Sequence, residues 1–509
     1  MRDVRRYLPQ ITLLLLGLIA FILPLGLTPL FDLDEGAFSE ATREMLHGGD
    51  YITTYLNGNL RFDKPILIYW LQLASVKLFG LNEFAVRLPS ALAASFWVWL
   101  AYRFTRMVWD RERAFYAALF MLAALQINLI AKAAIADGLL NLWIAATMFA
   151  LYRYYDAGRG RDLYMTFLFM ALGFLTKGPV AVLIPFVVSL LFFLSVHQGK
   201  RWLRSVFDPI GLAIFAAVAL PWYLLEYQAQ GMGFIDGFFL KHNLDRFDTS
   251  MEQHGGGFSY YIVVVIIGLL PFTYLFVKSL RDMGEWFREA STRYLLLWFL
   301  FVWLFFSFSG TKLPHYVIYG YTAIFILSAG AFVRPWSRGW LLWPLILFMS
   351  ILLLFPEIAL AVRAQIHDRF ARAVIGYVYN GFDLRYRLLT GAVLVGLALL
   401  LFRRFSLRKT AVSVAFLFVI EINYALLPAY AAVMQQPVKD AALLAKARGW
   451  KVHLYRTHTP SFIFYYGDLV SEHQPRSGDI VFCRVTSLKD FSHYDTLFEE
   501  NGYRLIRIK

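Results

Sequence analysis

The sequence predicts an all-α polytopic membrane protein of about thirteen transmembrane helices, closed by a small α/β domain. Three observations predict it. Of 509 residues, 59% are hydrophobic and only 17% are charged, more apolar surface than a soluble domain of that size could bury. Apolar runs of bilayer-crossing length recur from Ile11 to Tyr430. Beyond them the chain turns to one helical stretch and short alternating segments parted by turn residues, the pattern of a small sheet.

The spans lie near 10–29, 88–108, 113–131, 136–155, 163–176, 179–196, 207–226, 259–278, 293–309, 316–333, 339–361, 387–402 and 410–430. MRDVRRYLPQ has the charge of a signal peptide, but no small-residue cleavage site follows it, so the first span reads as a retained helix. The run Leu163–Val196 is too long for one crossing, and Thr176-Lys177-Gly178-Pro179 breaks it into a hairpin of two helices. With the N-terminus inside, every inner loop from RMVWDRER to RRFSLRK carries at least two Lys or Arg, which satisfies the positive-inside bias. The net charge of +14 therefore reports topology and not a nucleic-acid partner. The single cysteine, Cys483, excludes an intrachain disulfide framework and argues against a cysteine metal cluster.

This threading puts residues 30–87 outside. Asp34 and Glu35 open an amphipathic helix there, with Phe38, Ala41 and Met45 on one face and Glu40, Arg43 and Glu44 on the other. Asp34 suits an N-cap, a role compatible with chemistry because a capping carboxylate is well held. Lys64-Pro65 begins a second helix that ends near Phe79-Gly80, with Pro inside the start and Gly past the end. Together they form a platform lying on the membrane.

Outer Lys and Arg run against the bias: Arg43, Arg61, Lys64, Arg87, Lys132, Lys177, Lys241, Arg246 and Lys312. Three occupy tight corners, in DKP, TKGP and TKLP. A single such cation snorkels or pairs with a local carboxylate, whereas several converging suit a phosphate carried by a lipid. Asp137, at the start of a span in AIADGLL, is costly there and serves either function or an ion pair, with Lys132 near. His242 in KHNLDRF is structural unless a second ligand joins it. HGGG at 254–257 has no GxSxG partner and reads as loop. The tail divides into a helix, VKDAALLAKARG, and four strands, KVHLYR, FIFYYG, DIVFCRV and YRLIRI. The domains are 1–430 in the membrane and 431–509 outside it.

DEGAFSEATREML, RFDKPILIYWLQLASVKLFGLNEFAVRLPSAL, AIADGLL, FLTKGP, KHNLDRF and SGTKLPHY, in this order, resemble the bacterial aminoarabinose (lipid A) transferases. More broadly they resemble the protein O-mannosyltransferase superfamily of GT-C membrane glycosyltransferases. The resemblance is clear over roughly 1–335 and architectural beyond. It implies an inner-membrane enzyme, N-terminus cytoplasmic and active site periplasmic, which takes a sugar from polyprenyl (undecaprenyl) phosphate and passes it, with inversion, to lipid A or another envelope acceptor. It also implies roles: Asp34 as general base or acceptor-orienting acid, with Glu35 and Asp137 as further catalytic acids. Lys64 would grip the donor phosphate, helped by Arg246, Lys312, Tyr316 and Lys177, as negative charge builds on the leaving group. A divalent metal, zinc or manganese, would sit between Asp63 and His242.

One departure touches specificity. The aminoarabinose enzymes carry DE-x-RY, and this chain has Asp34-Glu35-Gly36-Ala37-Phe38, which leaves the sugar open. A protein O-mannosyltransferase keeps the donor and changes the acceptor, but the large soluble insertion of that family is absent from the sequence. A lipid-linked sugar flippase is the rival of another class. It needs neither a one-sided platform nor a folded tail, and no internal repeat of the transporter kind is visible.

Overall fold

A computed structural model of the chain describes residues 2–239, 257–403 and 405–509. Each of the thirteen expected spans falls on helix. By length and composition alone six described helices can cross a membrane, or up to eight if each of two bent pairs is one span. The remaining spans are shorter, interrupted or charged at their ends. Arg111–Ala123 and Leu125–Ile130 are parted at Ala124, and Ala136–Ala157 carries Asp137, Arg153 and Asp156.

Three boundaries differ from expectation. The first span ends at Ile22 and not at 29, because Pro24, Gly26 and Pro29 cannot continue a helix. The span expected over 259–278 bends by 117° between Tyr260–Gly268 and Thr273–Trp286, with Pro271 at the break. In the tail, FIFYYG is helical, within Pro460–Tyr466. Pro460 starts that helix and Gly467, at φ +82°, ends it, the Pro-then-Gly asymmetry of a helix overriding aromatic strand propensity. The hairpin break is as expected: Gly160–Lys177 and Val180–Ser195 meet at Gly178, φ +75°.

The loops expected to share a side are found together. Arg201 Nη1 donates to Tyr155 O at 3.0 Å, Arg293 Nη1 to Ser195 O at 3.0 Å, and Arg338 Nη1 to Arg403 O at 3.0 Å. Arg334 pairs with Asp282 at 2.6 Å. These contacts gather the basic loops together, while the 30–87 segment and the tail share an apolar core of their own.

The platform helices are Asp34–Gly48 and Leu67–Phe79. Phe38, Ala41 and Met45 are buried as expected, but so are Glu40 and Arg43. The polar face of the first helix is covered by the tail and not by water. Glu40 takes Arg43 in a two-pronged pair at 2.7 and 2.8 Å, and Arg43 Nη1 reaches Gly467 O at 3.0 Å. A hairpin, β1 (Tyr55–Leu56) and β2 (Asn59–Leu60), joins the two helices. Its Asn57-Gly58 turn has both residues at positive φ, 52° and 74°, the type I′ signature that YLNGNL displays in the sequence.

The tail holds a four-stranded sheet in the order β3 (Val452–Leu454), β4 (Ile480–Arg484), β6 (Tyr503–Ile508), β5 (Tyr494–Glu500). β3 and β4 are parallel and the other pairs antiparallel. Its apolar core is shared: Leu30, Val76, Val86 and Ala134 of the membrane part pack in one cluster with Val438, Phe462, Phe482 and Tyr503. The expected 362–386 loop also folds, as Arg369–Gly376 and flanking turns, and Phe370 stacks edge-on against Tyr503.

Candidate active site

The chain leaves the first span through Pro24 and Pro29 and enters the platform helix at Asp34. A side-chain N-cap was expected of Asp34. Instead Leu33 occupies the cap position and Asp34 is the first helical residue, exposed, with Glu35 Oε2 accepting the Phe31 N–H at 2.8 Å. Asp34 thus borders a cavity of about 540 Å³ between the platform and the last span, lined also by Glu35, Arg87, Lys132 and His315. Leu129, Ile130, Ile135, Leu426 and Leu427 supply its apolar wall.

Glu35 lies beside Asp34 but is held differently. Arg87 Nε and Nη2 reach it at 2.7 and 2.8 Å, and Ala134 N–H at 2.9 Å. With the Phe31 N–H, four donors fill the four lone-pair sites of the carboxylate. Arg87 spends its other hydrogens on Leu25 O, Thr28 O and Pro29 O at 2.7–2.8 Å. The pair ties the exit of the first span to the platform.

Asp137 and Lys177, an expected catalytic acid and an expected phosphate ligand, are found bonded to each other at 2.7 Å. Tyr319 Oη donates to the same Asp137 oxygen at 2.6 Å, and Lys177 Nζ donates to Tyr319 Oη at 2.8 Å. The ammonium also lies 5.5 Å from the ring centre of Tyr316, a cation–π distance. Lys132, weighed as the partner of Asp137, instead donates to Asn128 O and to Asn423 Oδ1. Burial, with Arg87 as a like charge, pulls its ammonium down to about 7.

His315 links the two groups. Its Nε2 lies 3.8 Å from Asp137, its ring borders the cavity, and the charges of Lys177, Asp34 and Lys64 all act on it. Lys64 Nζ donates to Asp63 O at 2.9 Å, and Lys312 Nζ to Ser309 O at 2.7 Å. Asp63 pairs with Arg61 at 3.2 Å and faces a second cavity, of about 400 Å³, under the tail. His242 and Arg246 lie outside the described residues.

Sequence reasoning left His315, Tyr319 and Asn423 without roles. His315 and Tyr319 stand within or just after the SGTKLPHY corner, where a histidine three residues from Lys312 was the available signal. Asn423, with Glu421, is a polar insertion in the otherwise apolar last span, and such insertions mark function or pairing.

Many apolar helices around a charged, half-apolar cavity, with a small mixed domain at one end, make up a membrane fold of the GT-C type. ArnT from Cupriavidus metallidurans, solved bound to undecaprenyl phosphate, superposes with a TM-score of 0.82 over 97% of both chains at 20% identity. The archaeal oligosaccharyltransferase AglB from Archaeoglobus fulgidus superposes at 0.56 over 95% of this chain and 70% of its own, at 11% identity. Residues 63–224 match the dolichyl-phosphate-mannose-protein mannosyltransferase family. An undecaprenyl phosphate-alpha-4-amino-4-deoxy-L-arabinose arabinosyl transferase of Aeromonas hydrophila is 31% identical over 385 residues, 72% of this chain and 69% of that one. The chain belongs to this arabinosyl transferase family. Against the Aeromonas salmonicida relative, 32% identical over 63% of this chain, it spans 59% of the relative's length.

Proposed function

We propose that the protein is an inverting glycosyltransferase that uses an undecaprenyl phosphate-linked sugar at the periplasmic face of the inner membrane. The acceptor is lipid A or another envelope glycan or lipid, and 4-amino-4-deoxy-L-arabinose is the first sugar to test. One observation carries the reading: an exposed acid, Asp34, stands at the rim of a cavity with an apolar wall toward the membrane helices and a lining that includes His315, on which the charge of Lys64 acts. Such a cavity suits a lipid tail and an anionic headgroup together.

Asp34 takes the proton of an acceptor hydroxyl, or orients the acceptor if that group is a phosphate. The acceptor oxygen attacks the anomeric carbon from the side opposite the phosphate, and the carbon–oxygen bond to the phosphate breaks. Charge then grows on the leaving polyprenyl phosphate, where Lys64, Arg246 and Lys312 offset it and Tyr316 lines the approach. Glu35 is a positioning residue, its lone pairs filled by structural donors. Asp137 holds Lys177 in place beneath His315. A zinc or manganese ion held by Asp63 and His242 would add positive charge beside the donor phosphate; the carboxylate suits it, although Arg61 competes for that oxygen. Residues 1–430 form the membrane unit and 431–509 the periplasmic one, with the N-terminus cytoplasmic.

The test is turnover by purified protein of undecaprenyl phosphate-linked sugar with lipid A as acceptor. Asp34→Asn lowers kcat by about 100-fold or more with folding intact, since Asp34 makes no cap bond. Lys64→Ala raises donor KM and lowers kcat together, because its charge matters more as the glycosidic bond lengthens. Unchanged turnover in both variants places the reaction centre elsewhere. Transfer to a protein acceptor in place of lipid A selects the mannosyltransferase-like reading that the 63–224 match favours.

A further inference from the structure

A second cluster of ligating side chains lies in the tail, apart from the cavity of Asp34. His453 on β3, His473 in the connection to β4 and Asp479 just before β4 each offer a ligand atom, all within 4.8 Å of one another. The two Nδ1 atoms are 3.1 Å apart. Ligands around a tetrahedral zinc at roughly 2.0–2.1 Å are separated by about 3.3 Å, so the imidazoles already stand near the required spacing. Asp479 Oδ2 accepts the Arg476 N–H at 2.7 Å, and the carboxylate, 3.5 Å from the other ring nitrogen of His453, keeps an oxygen within 4.8 Å of the one ligand atom that each imidazole offers. That backbone contact orients a ligating carboxylate as outer partners do in metal sites.

We infer that His453, His473 and Asp479 bind a divalent transition metal of the zinc class. Two imidazoles and one carboxylate select such an ion over magnesium or calcium, which take oxygen shells. The fourth position, open toward solvent at His473, takes water.

Its location gives the site a structural consequence. His453 bridges Ser471 in parallel pairing, and Leu454 N–H donates to Ser471 O at 2.9 Å. One residue back, Val470 exchanges two hydrogen bonds with Asn57, both 2.9 Å, and Glu472 accepts a third from Asn57 at 3.0 Å. Asn57 is the tip of the β1–β2 hairpin, whose return strand leads directly into Arg61, Asp63 and Lys64. A metal at the two histidines fastens residues 470–473 to β3, and through Asn57 fastens the connector that carries Lys64.

The experiment uses full-length protein in detergent, stripped with a chelator and titrated with Zn(II) against a chromophoric competitor. His473 is exposed, so His473→Ala leaves the fold intact. His473→Ala and Asp479→Asn each bind one equivalent fewer than wild type, while Asp63→Ala retains that equivalent. Hydrogen exchange of peptides covering 55–60 and 468–475 slows on adding Zn(II) to wild type, and that protection is lost in His473→Ala. Equal stoichiometry in wild type and both tail variants overturns the site. Loss of the equivalent with unchanged exchange at 55–60 overturns the coupling to the connector.

Discussion

Removing the Glu35 side chain separates a fastening role from a chemical one. In Glu35→Ala, Arg87 stays charged and buried while its Nε and Nη2 lose their acceptor. Breaking a buried pair by deleting one partner costs about 3–5 kcal/mol. The N–H groups of Phe31 and Ala134 lose their acceptor as well, at about 1–3 kcal/mol each if water does not reach them. Taking the charge alone, at roughly 2 °C per kcal/mol for a long chain, the apparent Tm falls by about 6–10 °C. Glu35→Gln falls less, because its oxygen still accepts from one side while its amide opposes a donor on the other. Tryptophan fluorescence during heating in detergent reads the shift. A Glu35→Ala protein with wild-type Tm and abolished transfer refutes this reasoning and makes Glu35 a catalytic residue.

Tyr319→Phe removes a donor to Asp137 and an acceptor for Lys177; it destabilises by about 1–3 kcal/mol and lowers transfer, whereas Lys177→Met, which strands a buried carboxylate, destabilises by about 3–5 kcal/mol. Thermal unfolding of the two variants checks that order. Gly36→Ala loosens the tail, because a Cβ there meets the Ser461 backbone nitrogen and an Asp32 oxygen at 2.6 Å; limited proteolysis reads the faster release of fragments beginning near 431. Asp32, which accepts from Ser461 Oγ at 2.6 Å and Ser461 N–H at 2.9 Å, is pushed up to about 7 by burial. The folded state therefore holds a proton that the unfolded chain releases above about pH 4, and tail docking weakens as pH rises from about 4 to 7. The same proteolysis across that range reads it, and Asp32→Asn flattens the profile.

How much of this was legible in the sequence follows from the range of each signal. Apolar length, charge bias and Gly or Pro breaks are local, so the spans, the 163–196 hairpin and the two platform helices could be read directly. Asp34 could be placed at a helix start after the first span, although its cap role could not, since capping depends on which oxygen the backbone turn presents. Long-range pairing carried no such mark. Lys132, five residues away, was the near candidate should Asp137 form an ion pair, but packing of the 160–177 helix brought Lys177 to it and left Lys132 to Asn423, 291 residues on. Glu40 and Arg43 looked like a solvated face because a helix's periodicity shows which residues share a side and not what covers it. The tail that covers them lies some 400 residues later, joined through one shared core. Local physics therefore determined the helices and their order, and tertiary packing alone decided which buried charges pair and which remain at the cavity.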